Sequence, residues 1–146
     1  MNPRFLSVLA GTVLIIVAGA CGAETSPPWL VRHYLGLPPG VTLSPERVRD
    51  NALWVTAGQM AVLTWGSSGC PGLPSGLKVS GNDALTVTVT TDLPPDGAAC
   101  PADLAATTTI IQVPTALDAS EQVNVTIVDG SYGATVPLPP RPVSNT

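Results

Sequence analysis

Between residues 53 and 138, apolar and polar positions follow the two-residue period of strands, and no helical period of useful length appears. The clearest run is LTVTVT at 85–90, where Leu85, Val87 and Val89 share one face and three threonines take the other. LWVT (53–56) and MAVLTW (60–65) are apolar and rich in β-branched residues, and Ala57-Gly58-Gln59 separates them. LKVS (77–80), TTIIQV (108–113), VNVTIV (123–128) and YGATVPL (132–138) complete the series. About seven short strands are therefore expected, with turn signals at intervals suited to two packed sheets. The implied class is all-β, a small immunoglobulin-like sandwich spanning residues 52–138.

Turn chemistry sets two registers. A three-residue loop at Gly81-Asn82-Asp83 pairs Val79 with Leu85 and Leu77 with Val87, leaving Lys78 beside Thr86 in water. A two-residue loop there would slip the pairing by one position and mix the faces. Asp129-Gly130 reads as a two-residue hairpin loop, which pairs Ile127 with Tyr132, Val125 with Ala134 and Val123 with Val136.

The flanks are less patterned. Residues 21–51 read as a tether and irregular region, in which SPERVRDN (44–51) favours at most two turns of helix. Ser44 suits the cap, Pro45 the first helical position and Glu46 the first turn. WLVRHYLGLPPG (29–40) is short and stopped by proline. Residues 139–146 form a proline-rich tail expected to fray. The polyproline reading of PLPPRP (137–142) carries less weight than a solvated tail that cannot pair in a sheet.

The start of the chain has its own organisation. Met1 to Arg4 carries one positive charge, Phe5 to Val17 is an apolar run, and Ala18, Gly19 and Ala20 are small. This apolar run is too short for a membrane-spanning helix, which needs about 20 residues, and the arrangement is that of a secretory signal. VAGAC (17–21) resembles the lipobox of bacterial lipoproteins, although Ala18 stands where leucine is commonest. The resemblance covers residues 1–21 only. It implies removal of residues 1–20, lipidation of Cys21, and attachment to the extracytoplasmic face of the cell membrane. Gly22 to Pro28 is short, polar and proline-ended, as a spacer would be.

Lipid on Cys21 leaves two cysteines, Cys70 in GSSGCPG and Cys100 in GAACPAD. Export would place both where thiols oxidise, so a structural disulfide is expected. Two cysteines so far apart, with no second His/Cys cluster, lack the spacing of a metal site.

Charge and candidate chemistry narrow the function without naming it. The chain has 6 basic and 10 acidic residues, a balance opposed to nucleic-acid binding. His33 is the only histidine, and no serine sits in a nucleophile-elbow pattern that could recruit it. GSSGCPG lacks the lysine and following helix of a phosphate cradle. Asp92, Asp96 and Asp103 offer oxygen ligands of the kind calcium takes, yet without EF-hand or repeat spacing they read as solvated loop carboxylates. Trp29, Trp54 and Trp65 could stack a sugar, but the last two lie in strand-like runs where core packing is the simpler role. No cofactor, metal or catalytic group is expected. A non-catalytic binding or structural role at the cell surface follows, toward a surface protein or glycan. The alternatives are an envelope-polymer hydrolase, and an inhibitor or regulator of an exported protein, which would show an exposed proline-rich loop with apolar residues.

Overall fold

A computed structural model of the chain describes residues 26–42 and 49–142. The described residues are all-β, with eight strands and no helix. They are β1 (Leu30–Leu35), β2 (Asn51–Thr56), β3 (Gln59–Gly66), β4 (Gly72–Ser80), β5 (Ala84–Thr91), β6 (Ala105–Gln112), β7 (Val123–Asp129) and β8 (Tyr132–Leu138). One sheet has the order β1-β6-β3-β2 and the other β4-β5-β7-β8. Their facing sides form the core.

That core is aliphatic. Leu85, Val87 and Val89 of β5 meet Val123, Val125 and Ile127 of β7, with Met60, Val62 and Ile111 contributed by the other sheet. The alternation in LTVTVT is thus realised directly, since Thr88 is exposed between buried Val87 and Val89, and Thr90 is exposed beyond Val89. Replacing Leu85, which is fully buried, by alanine should cost roughly 2–5 kcal/mol. The exposed Thr88→Ser should change stability by about 0.5 kcal/mol or less. Denaturant midpoints of the two variants check both expectations.

The Gly81–Asp83 turn has the expected register, with Val79 opposite Leu85, Leu77 opposite Val87 and Lys78 opposite Thr86. The β7–β8 hairpin differs from expectation by two residues. Asp129 pairs with Tyr132, Ile127 with Ala134, Val125 with Val136 and Val123 with Leu138, so the loop is Gly130-Ser131. Gly130 takes φ +56° and no non-glycine residue has positive φ. Only one left-handed residue is needed when glycine leads the loop, whereas an Asp-Gly loop of type I′ would force Asp129 into that region. A two-residue slip keeps every side chain on its face, so the inward set is unchanged.

Two further corrections concern the flanks. Residues 30–35, expected to be irregular, form β1, which pairs antiparallel with β6 along the sheet edge. The tail is pinned where it is described: Trp54 Nε1 donates to the Pro139 carbonyl at 2.7 Å and the Arg141 N–H to that of Ala119 at 2.8 Å. The helix expected at 44–51 lies largely outside the described residues, and its last position, Asn51, begins β2. Cys21 lies outside them too.

β5 and β7 run parallel, whereas immunoglobulin-type sheets are antiparallel throughout. Parallel neighbours need a long crossover, and here β6, in the opposite sheet, supplies it. This threading fixes which loops share an end. Leu30 pairs with Ile111, and Trp29 accepts from the Gln112 N–H, so the chain enters at the C-terminal end of β6. Gly66 pairs with Ala105 and Gly72 with Thr91, so the β3–β4 and β5–β6 crossings lie at the other end.

Candidate functional site

At the end of the sandwich opposite Trp29, two chain segments cross between the sheets side by side, and covalent and polar bonds join them. Cys70 and Cys100 form a disulfide with Cα atoms 5.6 Å apart, as expected. Cys70 is buried and Cys100 is exposed, so the bridge fastens an outer loop to the body. Asp103 reinforces it: its Oδ1 accepts from the Ser68 N–H at 3.0 Å and the Ser67 hydroxyl at 3.3 Å. The Asp92 N–H donates to the Pro71 carbonyl at 2.9 Å, closing the loop's other root. Gly69 packs so closely on Pro101 that a Cβ there would lie 2.7 Å from the ring. Glycine is required by that approach.

The segment held this way, residues 92–104, is almost wholly exposed. It contains Leu93-Pro94-Pro95, then a tight turn in which Gly97, at φ +70°, donates to the Pro94 carbonyl at 3.1 Å. Leu93 is 66% exposed and Leu104 is 65% exposed, while Tyr132, on the neighbouring β7–β8 hairpin, is 54% exposed. Because β5 and β7 are parallel neighbours, their C-terminal ends bring loop and hairpin together. Asp92, Asp96, Asp103 and Asp129 are the charged residues of its crossings and hairpin, which contain no lysine, arginine or histidine. Asp50, close enough to feel the charge of Asp129, and its neighbour Arg49 adjoin them.

Asp103 is held below the usual carboxylate range by hydrogen bonds from the Ser68 hydroxyl and N–H and from the Ser67 hydroxyl. A carboxylate whose folded pKa is depressed stabilises above its unfolded value and loses that contribution as pH falls through the folded pKa. Acidification below about pH 4 should therefore loosen the crossing, read as faster amide exchange at Ser68. Asp103→Asn should abolish that dependence.

The other readings fare differently. Asp92, Asp96 and Asp103 do not converge: Asp103 faces the serines, and Asp96 accepts from the Ala98 N–H at 3.3 Å. Among the described residues, no group of three or more His, Cys, Asp or Glu side chains is arranged for a metal. His33 is exposed on edge strand β1. Trp29 and Trp54 pack at the margin of the core, and half-buried Trp65 pairs with Ala106 on β6. No tryptophan fills the centre, and the three do not make one platform.

Open grooves among the described residues are further candidates. One, of about 350 Å³, is lined by Asn82, Asp83, Asp118, Glu121, Gln122 and Asn124. Another, of about 330 Å³, lies where β2 meets β8 and is lined by Arg49, Asp50, Asn51, Thr135, Val136 and Pro137. Asp50 does not stand out in the sequence because it falls in the run 44–51, which reads there as a short helix, whereas Asn51 begins β2. Burial pushes its pKa up, the Trp65 N–H at 3.2 Å lowers it in part, and the charge of Asp129 raises it. The β2–β8 groove holds one carboxylate, whereas hydrolysis of a glycoside by paired acids needs two. The first groove gathers three, Asp83, Asp118 and Glu121, and there Asp118 is held below the usual carboxylate range by hydrogen bonds from the Ser120 hydroxyl and N–H. The chain matches no protein-family model, no curated protein and no solved structure.

Proposed function

We propose that this chain is a lipid-anchored extracytoplasmic domain that binds a surface partner without turning over substrate. One observation carries the reading: the chain enters the sandwich at one end, and the disulfide-braced loop at 92–104 occupies the opposite end. With lipid on Cys21, the span to Leu30 reaches at most about 32 Å when fully extended. β6 adds roughly 23 Å of rise at strand spacing. Such a domain stands over the bilayer and offers its braced loop outward. The immunoglobulin-like label is kept for the two-layer architecture with loop-bearing ends, the strand order being this chain's own.

The non-catalytic part of the reading rests on the site inventory. Catalytic groups act in positioned sets with complementary ionisation. The exposed histidine, the single carboxylate of the β2–β8 groove and the solvated loop aspartates belong to different parts of the surface. The groove that gathers Asp83, Asp118 and Glu121 has no histidine or lysine in its lining and holds Asp118 below, not above, the usual carboxylate range. The test is a turnover screen of the purified lipoprotein on envelope polysaccharides, peptides and esters. No turnover is expected. Hydrolysis lost on one change such as Asp50→Asn would overturn the reading and favour the hydrolase.

A further inference from the structure

We propose that Leu93, Leu104 and Tyr132, with the acidic residues around them, form a docking surface for an exported protein bearing an apolar pocket rimmed by lysine or arginine. This deepens the binding role proposed above and rests on it. Leu93, Leu104 and Tyr132, each more than half exposed, stand at one end of the domain, where Leu35 at the end of β1 is also more than half exposed. Singly exposed leucines are ordinary, but an apolar group on a braced projection is the form of an interaction site.

Bracing matters because ordering a loop on binding costs free energy for each side chain immobilised. Here that ordering is built in, through Cys70–Cys100, the Asp103 bonds and the Gly97 turn. The two leucines stand near opposite roots of one loop, so an incoming surface meets them at a fixed separation.

The occupant follows from charge and position. Asp92, Asp96, Asp103 and Asp129 lie on the loop and hairpin, with Asp50 and Arg49 in the adjoining groove, so among these residues acidic outnumber basic by five to one. A partner rimmed with lysine or arginine is steered and registered by that field. A second copy of this chain would bring like charge against like. A bilayer is disfavoured because the tether enters at the opposite end. A glycan would call for an aromatic platform, and the surface carries one tyrosine while Trp29 and Trp54 lie near the tether.

The test places a photo-crosslinking amino acid at position 93 or 104 of the full-length protein in its native membrane, with position 88 as a control on the outer face of β5. A discrete protein adduct is expected from 93 and 104 and not from 88. Mapped by mass spectrometry, the partner's crosslinked residues should be apolar and flanked by lysine or arginine. Adduct yield from position 93 should fall about tenfold or more with Leu104→Asp, that from position 104 likewise with Leu93→Asp, and both in about 0.5 M salt, where exposed charges are screened beyond a few ångströms. Both leucines are exposed, so these variants should keep the parent melting temperature, which is measured alongside. No adduct, equal adducts from 88, or adducts only to lipid, glycan or a second copy would overturn the docking surface. Fractionation of the same samples reads the anchor separately. A chain that fractionates with membranes but gives no adduct defeats the surface alone, whereas a soluble chain with an intact adduct defeats the anchor alone.

Discussion

Replacing Cys70 and Cys100 together by serine should lower stability by roughly 3–4 kcal/mol, the loop-closure entropy regained by the unfolded chain. For a domain of this size, that corresponds to a fall in melting temperature on the order of 10–20 °C. The bridge joins the β3–β4 crossing to the β5–β6 crossing, so its loss should not be felt evenly. At the tether end, Val113, Leu117 and Ala119 plug the sandwich with buried apolar contacts. The far end lacks such a plug in its outer loop, where residues 95–104 are exposed. Amide exchange should therefore accelerate first around residues 67–70 and 92–104, at temperatures where β5 and β7 remain protected. Uniform acceleration across both ends, or an unchanged melting temperature, would show that the bridge is incidental to the fold.

The strands that were easiest to read in the sequence are those with one wet face. LTVTVT alternates because Thr88 and Thr90 meet water while Val87 and Val89 meet the core. MAVLTW does not alternate, and the structure supplies the reason. Met60 and Val62 face the other sheet, and Ala61 and Leu63 are buried on the opposite side of β3. A continuous apolar run signals burial on both faces, and β3 has it. β1 was illegible for the opposite reason. LVRHYL lies on an edge, with a register shift between Leu30 and Arg32 and Val31 turned out to water. Neither period survives such a bulge.

The candidate site was legible in parts. The pairing of Cys70 with Cys100 followed from an even count, given lipid on the third cysteine. The surface those cysteines brace did not, because Leu93 and Leu104 belong to no periodic run and nothing local distinguishes an exposed leucine from a buried one. Their meaning arises when the crossing order puts both loop roots at one end. Asp50 is similar: its carboxylate becomes half-buried only when β2 closes against β8. Long-range packing made these features.

Cys21→Ser should move the protein from the membrane fraction to the soluble fraction, lowering the bound share by about tenfold or more. The argument is one of apolar area. Each methylene buried in a bilayer contributes about 0.8 kcal/mol, and one acyl chain gives only reversible attachment while two give stable anchoring. The lipobox resemblance at VAGAC implies a diacylated sulfur on Cys21, which serine cannot provide. Nothing in the sandwich replaces it. Among the described residues no helix is long and apolar enough to cross a membrane, and the exposed leucines lie opposite the tether. The apolar run from Phe5 to Val17 is also short of a span if it is left uncleaved. The intact mass of the parent protein supplies the second measurement. It should correspond to a chain beginning at Cys21 and carrying acyl groups, whereas the serine variant should carry none. A mature chain beginning elsewhere and free of lipid, or a serine variant that remains membrane-bound, would show that the anchor is not at Cys21.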